Sequence, residues 1–235
     1  MANPKFLIVT GASKGIGKAT AQVFLNANYQ VINLSRSSCD LDGVTNIAWD
    51  LAGAEWSEQQ KLLTEALPES AEIVLLHNAA MMTKETVTDI KDHTLREVLE
   101  LNVVAPARLN TLLLPHMQEN SSIIYVSSTL GTKAVANTHA YVISKHAVIG
   151  QMRATCQDLA GRQIHTAAIC PGFTETEMLS EHLGANPELR QQIAGNIALG
   201  RIAQPIEIAE TIFFASQNPV INGTIIDANL GQIES

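Results

Sequence analysis

The chain of 235 residues is 46% hydrophobic and 16% charged, with a net charge of −8, which gives it enough apolar material for a sizeable core and too little charge for a disordered polypeptide. The acidic balance argues against a nucleic-acid or anionic-membrane surface, since either needs clustered Lys and Arg. Cys39, Cys156 and Cys170 are odd in number without metal-ligand spacing, and the seven histidines form no cluster, so reduced thiols and no metal are expected.

The apolar run at residues 6–9 lacks the basic flank, length and cleavage pattern of a signal peptide, and no apolar stretch reaches the length of a membrane span. A cytoplasmic protein is expected. No Pro/Gly/Ser-rich linker divides the sequence, which reads as a single domain over residues 1–235.

In chain order, short Val/Ile/Leu-rich runs alternate with longer amphipathic segments. Strands are expected at residues 5–10, 30–34, 46–49, 72–77, 122–127, 164–170 and 224–227, and helices near 16–28, 55–67, 92–117, 138–159 and 205–216. This alternation belongs to an α/β fold, a doubly wound parallel sheet of about seven strands (Rossmann type) with helices on both faces. Ligands of such sheets lie beyond the carboxyl ends of the strands. The excursion at 174–203 follows a strand, reads as short helices, and is expected to be a substrate lid.

Directly after the first strand, Thr10-Gly11-Ala12-Ser13-Lys14-Gly15-Ile16-Gly17 opens the first helix. Glycines there let the chain turn sharply and let a pyrophosphate approach backbone N–H groups at the positive end of the helix. At the end of the second strand an acidic residue would bind the adenosine ribose and repel a 2'-phosphate, whereas Arg pairs with that phosphate. The sequence reads Asn33-Leu34-Ser35-Arg36-Ser37, with no carboxylate before Asp40. Arg36 therefore favours NADP(H), with Lys14 as a second positive charge and Ser13, Ser35 and Ser37 completing a phosphate pocket. The rival reading makes Arg36 and Lys14 solvated surface charges.

The motifs further along resemble the short-chain dehydrogenase/reductase family over nearly the whole chain. In that family's order they are the glycine loop at residues 10–17, Asp50 after the third strand, Asn78-Ala79-Ala80 after the fourth, Asn102, Ser128, Tyr141-x-x-x-Lys145, and Pro171-Gly172. By this resemblance Asp50, with Leu51 beside it, contacts adenine, and Asn78 and Ala79 support the cofactor site. Pro171, Gly172 and Thr174 border it, and Thr176 holds the nicotinamide carboxamide. The resemblance also implies a homodimer or homotetramer built through the helices carrying Asn102 and Tyr141.

Carbonyl reduction needs a hydride donor, a proton donor and a group that polarises the carbonyl oxygen. Tyr141 is the expected proton donor, but a phenol with a pKa of about 10 needs a nearby positive charge. Lys145 stands four residues later on the same helix face, where its charge favours the phenolate and can bind the ribose hydroxyls. Ser128 is expected to hydrogen-bond the substrate oxygen. Adjacent Ser127 is the alternative, and Ser128 is preferred because its spacing to Tyr141 and Gly131 matches the resemblance better. Pro106 has no N–H and displaces the carbonyl of Asn102, four residues earlier. A kinked helix with a freed carbonyl can hold an ordered water, which in the family relays protons from the lysine to solvent.

Some positions depart from the family pattern. His77 stands where asparagine is usual, Ala80 where glycine is, and Ala228-Asn229-Leu230-Gly231 where a double glycine is common. Met81, Met82, Thr129, Leu130, Val135, His139 and Phe173 are expected to line an apolar pocket for a small carbonyl or alcohol substrate. The main rival is a 3-oxoacyl (carrier-protein) reductase, which needs basic residues at the site mouth to meet an acidic carrier. The expected mouth positions, 117–120 and 179–181, contain no Lys or Arg. A rival of another class is a non-catalytic NADP-binding sensor, which has no need of Ser128, Tyr141 and Lys145 together.

Overall fold

The computed structural model describes residues 4–184 and 186–233, so expectations touching residues 1–3, 185 and 234–235 lie outside the described residues. The apolar runs form strands β1 (Lys5–Thr10), β2 (Gln30–Ser35), β3 (Val44–Ala48), β4 (Glu72–His77), β5 (Ser122–Val126), β6 (His165–Pro171) and β7 (Thr224–Ala228). They make one parallel sheet in the order β3-β2-β1-β4-β5-β6-β7. Helices α1 (Gly15–Asn26), α2 (Ser57–Glu65), α3 (Asp92–Leu99), α4 (Ala105–Leu113), α5 (His139–Asp158), α6 (Glu177–Leu183), α7 (Pro187–Gly195) and α8 (Pro205–Gln217) complete the architecture.

Alternation along each strand divides the core into two layers, because successive side chains point to opposite faces. Phe6 and Ile8 of β1 share one layer with Leu63 of α2, Leu109 of α4 and Val148 of α5. Leu7 and Val9 share the other with Phe24 of α1 and Ile212 of α8. Each such side chain, fully buried, contributes about 1.5–3 kcal/mol relative to exposure. The sheet is covered on both faces, as a doubly wound fold requires.

The expected segments differ from the observed ones where tertiary pairing sets the limits. β3 begins at Val44 because it pairs with β2 from Val31↔Val44 to Ser35↔Ala48. Trp49 falls beyond that register and packs edge-on against Trp56, with ring centroids 4.9 Å apart. The helix expected over 92–117 is divided into α3, a π turn at Glu100–Val104, α4 and a 3₁₀ turn at Leu114–His116. The kink anticipated from Pro106 takes the form of that π turn, in which Ala105 N donates to Glu100 O, five residues back.

Among the described residues no His, Cys, Asp and Glu side chains gather as a metal site needs, and no helix is long and apolar enough to cross a membrane.

His77 ends β4 inside the core, where its Nε2 lies 2.8 Å from Asn110 Oδ1. A carboxamide oxygen only accepts, so Nε2 carries the proton. Asn110 Nδ2 donates to Tyr125 Oη at 2.7 Å, and that oxygen lies 3.0 Å from Thr155 Oγ1, which ties β4, α4, β5 and α5 together. Burial pulls the His77 pKa down to about 4, against the opposing hydrogen bond that its Nε2 donates to Asn110. An unfolded histidine titrates near ~6.5, so the folded state gains stability above that value and loses it as pH falls from ~6.5 through about 4, by about 3 kcal/mol in all. Urea unfolding at pH ~7 and ~4 is expected to show this acid loss in the wild type and a smaller one in His77→Asn; parallel losses would contradict it.

Candidate active site

β1 lies between β2 and β4, so the strand order reverses at β1 and the crevice opens beyond its carboxyl end. The glycine loop leaves Thr10 there. A Cβ on Gly17 would collide with the Gly11 carbonyl oxygen, so the first turn of α1 lies directly against the loop. Asn78 Nδ2 donates to Thr10 O and Gly11 O, both at 3.0 Å, and Thr10 Oγ1 accepts from Asn78 N and Ala79 N at 2.9 and 3.0 Å. Asn78 and Ala79 thus brace the loop from the neighbouring strand. α1 starts with no side-chain cap hydrogen bond and no acidic residue in its first turn, an arrangement suited to an anion at the helix start.

Asn33, buried between the apolar Ile32 and Leu34 of β2, shapes the loop that follows. Its Oδ1 accepts from Ala12 N at 2.9 Å and Ser35 Oγ at 3.1 Å, while Nδ2 donates to Asn46 Oδ1 at 2.9 Å. Ser35 Oγ lies 2.6 Å from Ser37 O, so the Ser35 hydroxyl is turned into the loop. Arg36 is exposed at the tip. Lys14 Nζ lies 3.4 Å from Glu181 of α6, and Lys18 pairs with Asp40 at 2.6 Å. Asp50 is exposed beyond β3 and accepts from Ala52 N at 3.2 Å, whereas the Leu51 side chain is buried in the core.

The inner face of α5 presents Tyr141, Ser144 and Lys145, all buried. Ser128 caps the 3₁₀ turn Thr129–Gly131, accepting from Leu130 N at 3.1 Å, and its hydroxyl acts to lower the pKa of the Tyr141 phenol. The Ser127 Oγ is engaged elsewhere, donating to Lys145 O at 3.0 Å. Gly131 permits this approach, because a Cβ there would collide with Ser127 Oγ and sit 3.0 Å from Lys145 O.

Lys145 Nζ donates to Val126 O at 2.8 Å and lies 5.5 Å from the Tyr141 ring centroid. Burial pushes the phenol up to about 12, opposed by the Ser128 hydrogen bond, and pulls Lys145 down to about 8. In this arrangement desolvation outweighs any lowering of the phenol by Lys145. Desolvation disfavours both charged forms, and the ammonium is engaged with a main-chain carbonyl.

Asn102 is 2% exposed. Its Oδ1 accepts from Met81 N at 2.9 Å, and Nδ2 donates to Met81 O at 3.0 Å and Ser144 Oγ at 2.9 Å. Ser144 Oγ in turn donates to Tyr141 O at 2.8 Å. Its carbonyl was the expected agent, but the carboxamide is what joins the π turn to the β4 loop and α5.

Beyond β6, Gly172 lies against Asn229, and Thr174 Oγ1 donates to Gly172 O at 3.1 Å. The excursion closes at its own base, where Ala203 N donates to Phe173 O at 3.0 Å and Glu175 N to Ala203 O at 2.8 Å. Leu179, Ile193, Ile197 and Ile202 give it a small core. The Thr176 hydroxyl accepts from Leu179 N at 3.2 Å as the cap of α6, and its methyl group faces Gly15. A cavity of about 690 Å³ between α1 and α6 is lined by Gly15, Lys18, Glu177 and Glu181 among others, away from Tyr141.

The segment 117–120 does not flank the mouth as expected. Gln118 N donates to Ala71 O at 3.0 Å, just before β4 and β5 begin, which puts the segment at the amino end of the sheet, opposite Ser128. Sequence reasoning passed over Asn33 and Ser144, and the one visible signal was a polar Asn inside the apolar run 31–34.

Residues 5–186 match the short chain dehydrogenase family. The chain is 30% identical over 244 residues to the 3-oxoacyl-[acyl-carrier-protein] reductase FabG of Thermotoga maritima, covering 97% of this chain and 98% of that protein. A short chain dehydrogenase family protein from Francisella tularensis superposes with a TM-score of 0.88 at 29% identity, over 98% of this chain and 99% of that one. A 4-hydroxyisoleucine dehydrogenase complexed with NADH superposes with a TM-score of 0.86 at 25% identity, over 97% and 98% of the two chains. The glycine loop, the Ser128–Tyr141–Lys145 cluster and the parallel sheet that carries them are thus accounted for together, and the chain belongs to the short chain dehydrogenase family.

Proposed function

We propose that the protein is an NADP(H)-dependent oxidoreductase that transfers a hydride between the nicotinamide and a small carbonyl or alcohol. The observation that carries this reading is the burial of Tyr141 and Lys145 side by side on the inner face of α5, Nζ 5.5 Å from the ring centroid and bonded to Val126 O at the carboxyl end of β5, two residues before Ser128. The dinucleotide fits the residues present, since α1 starts uncapped against a loop in which Gly17 leaves no room for a side chain. Gly11, Ser13, Gly15 and Ile16 would hold its phosphates, Asp50 and Leu51 its adenine end, and Pro171, Gly172, Thr174 and Thr176 its nicotinamide end. When bound, the cofactor supplies the hydride, which no side chain can provide.

The chain's own residues handle the proton. Tyr141, whose pKa burial holds at about 12, keeps its proton at neutral pH and gives it to the carbonyl oxygen as that oxygen gains charge. Ser128 donates to the same oxygen. Lys145 returns a proton to the phenolate and is reprotonated from solvent through a water that the Asn102 carbonyl, which Pro106 cannot bond, would hold.

Arg36 favours the phosphorylated cofactor, because it is exposed at the end of β2 and the first carboxylate beyond it, Asp40, is paired with Lys18. A second reading, reduction of a 3-oxoacyl group on a carrier protein, is supported by the Thermotoga maritima relative. It uses the same chemistry and differs in requiring higher kcat/KM for the carrier-bound thioester than for a free one.

Titration with NADPH and NADH is expected to show tighter NADPH binding, and Arg36→Ala should weaken NADPH about 10–100-fold, the worth of a charge-assisted hydrogen bond, leaving NADH unchanged. Equal affinities untouched by the substitution would make Arg36 a surface charge. Tyr141→Phe is expected to lower turnover at least ~10²-fold with cofactor affinity retained, whereas full turnover would remove Tyr141 as proton donor. A homodimer or homotetramer through the helices carrying Asn102 and Tyr141 is supported by Val104 and Ile143, 39% and 38% exposed on those elements. Gel filtration giving a monomer at working concentration would refute it.

A further inference from the structure

The loop from β4 to α3 reaches Glu85, which is only 7% exposed. Its Oε1 accepts from Ala140 N at 2.8 Å, and its backbone carbonyl accepts from His139 N at 3.2 Å. These are the first two residues of α5 and stand directly before Tyr141. A helix start presents N–H groups without partners in the helix, and α5 does not supply its own cap. Thr138 makes no side-chain cap hydrogen bond, its hydroxyl donating to Val135 O at 2.9 Å, and the first turn holds no acidic residue. The cap is borrowed from a loop distant in sequence.

That loop is fastened to α5 a second time. Asn102 holds both main-chain groups of Met81 and, through Ser144, reaches the carbonyl of Tyr141. Residues 81–85 are therefore attached to α5 just before Tyr141 and again at Tyr141 itself. The other carboxylate oxygen, Glu85 Oε2, is buried with no hydrogen-bond partner. Burying such an oxygen is costly, and a short capping side chain at position 138 would avoid the cost while leaving the loop loose.

We propose that Glu85 is a positioning residue that clamps the 81–85 loop to the first turn of α5 and so fixes the position of Tyr141 relative to that loop. It acts through Ala140 and His139 and touches no reacting atom. The proposal rests on the reading of Tyr141 as proton donor.

The test uses Glu85→Ala, Glu85→Asp and Glu85→Gln, measured by hydrogen–deuterium exchange over 81–86 and 139–145 and by steady-state kinetics with NADPH affinity. Glu85→Ala is expected to raise exchange in both segments about tenfold, the scale of a lost cap. It should also lower kcat by about tenfold or more, since a displacement of about 1 Å can cost ~10²-fold, with NADPH affinity unchanged. Glu85→Gln keeps an acceptor for Ala140 N and should restore both readouts, while Glu85→Asp, one methylene short, should fall between. Unchanged exchange in Glu85→Ala, or raised exchange with unchanged kcat, would overturn the proposal. If Glu85→Ala fails to fold, wild-type exchange and kcat in Glu85→Asp would do so. Exchange that responds to Glu85→Ala while Tyr141→Phe keeps full turnover would support the clamp and remove only the donor assignment.

Discussion

One carboxamide joins the parts of the site that chain order keeps apart. Asn102 has a single acceptor oxygen and two N–H donors, and all three find partners, in Met81 N, Met81 O and Ser144 Oγ. Met81 has left β4 and has no neighbouring strand, so its backbone would otherwise be unpaired, at about 1–3 kcal/mol for each buried group. The π turn that carries Asn102 inserts an extra residue into the helix between α3 and α4. Sequence, through Pro106, sets the local distortion there, and the distortion places the amide where three segments meet.

The same burial that makes this framework rigid decides the chemistry. Tyr141 and Lys145 sit on the inner face of α5, and desolvation drives their pKa values apart, the phenol up to about 12 and the ammonium down to about 8. A protonated phenol beside the Ser128 hydroxyl suits donation to a carbonyl oxygen.

Much of this was legible in the sequence because parallel strands buried on both faces read as continuous apolar runs. β1 and β4 fall on the expected residues, whereas β3, a half-exposed edge strand, shifts by two residues at its start because its partner β2 sets the register. The glycine loop, Ser128, Tyr141 and Lys145 are visible as spaced motifs. Glu85 and Asn33 are not, since a lone Glu in a loop and a lone Asn in a strand acquire meaning only when Ala140 and Ala12 arrive from elsewhere in the chain. The misplacement of 117–120 has a similar origin, because sequence order does not say which end of the sheet a connection occupies.

The most direct measurement follows deuterium from C4-deuterated NADPH into product, by mass spectrometry, across a panel of small aldehydes, ketones and 3-oxoacyl thioesters. Hydride transfer at the Ser128–Tyr141–Lys145 centre is expected to leave one deuterium on the new carbinol carbon of at least one substrate. Cofactor that binds yet keeps its label against every member of the panel would contradict the catalytic reading and leave a dinucleotide-binding sensor in its place.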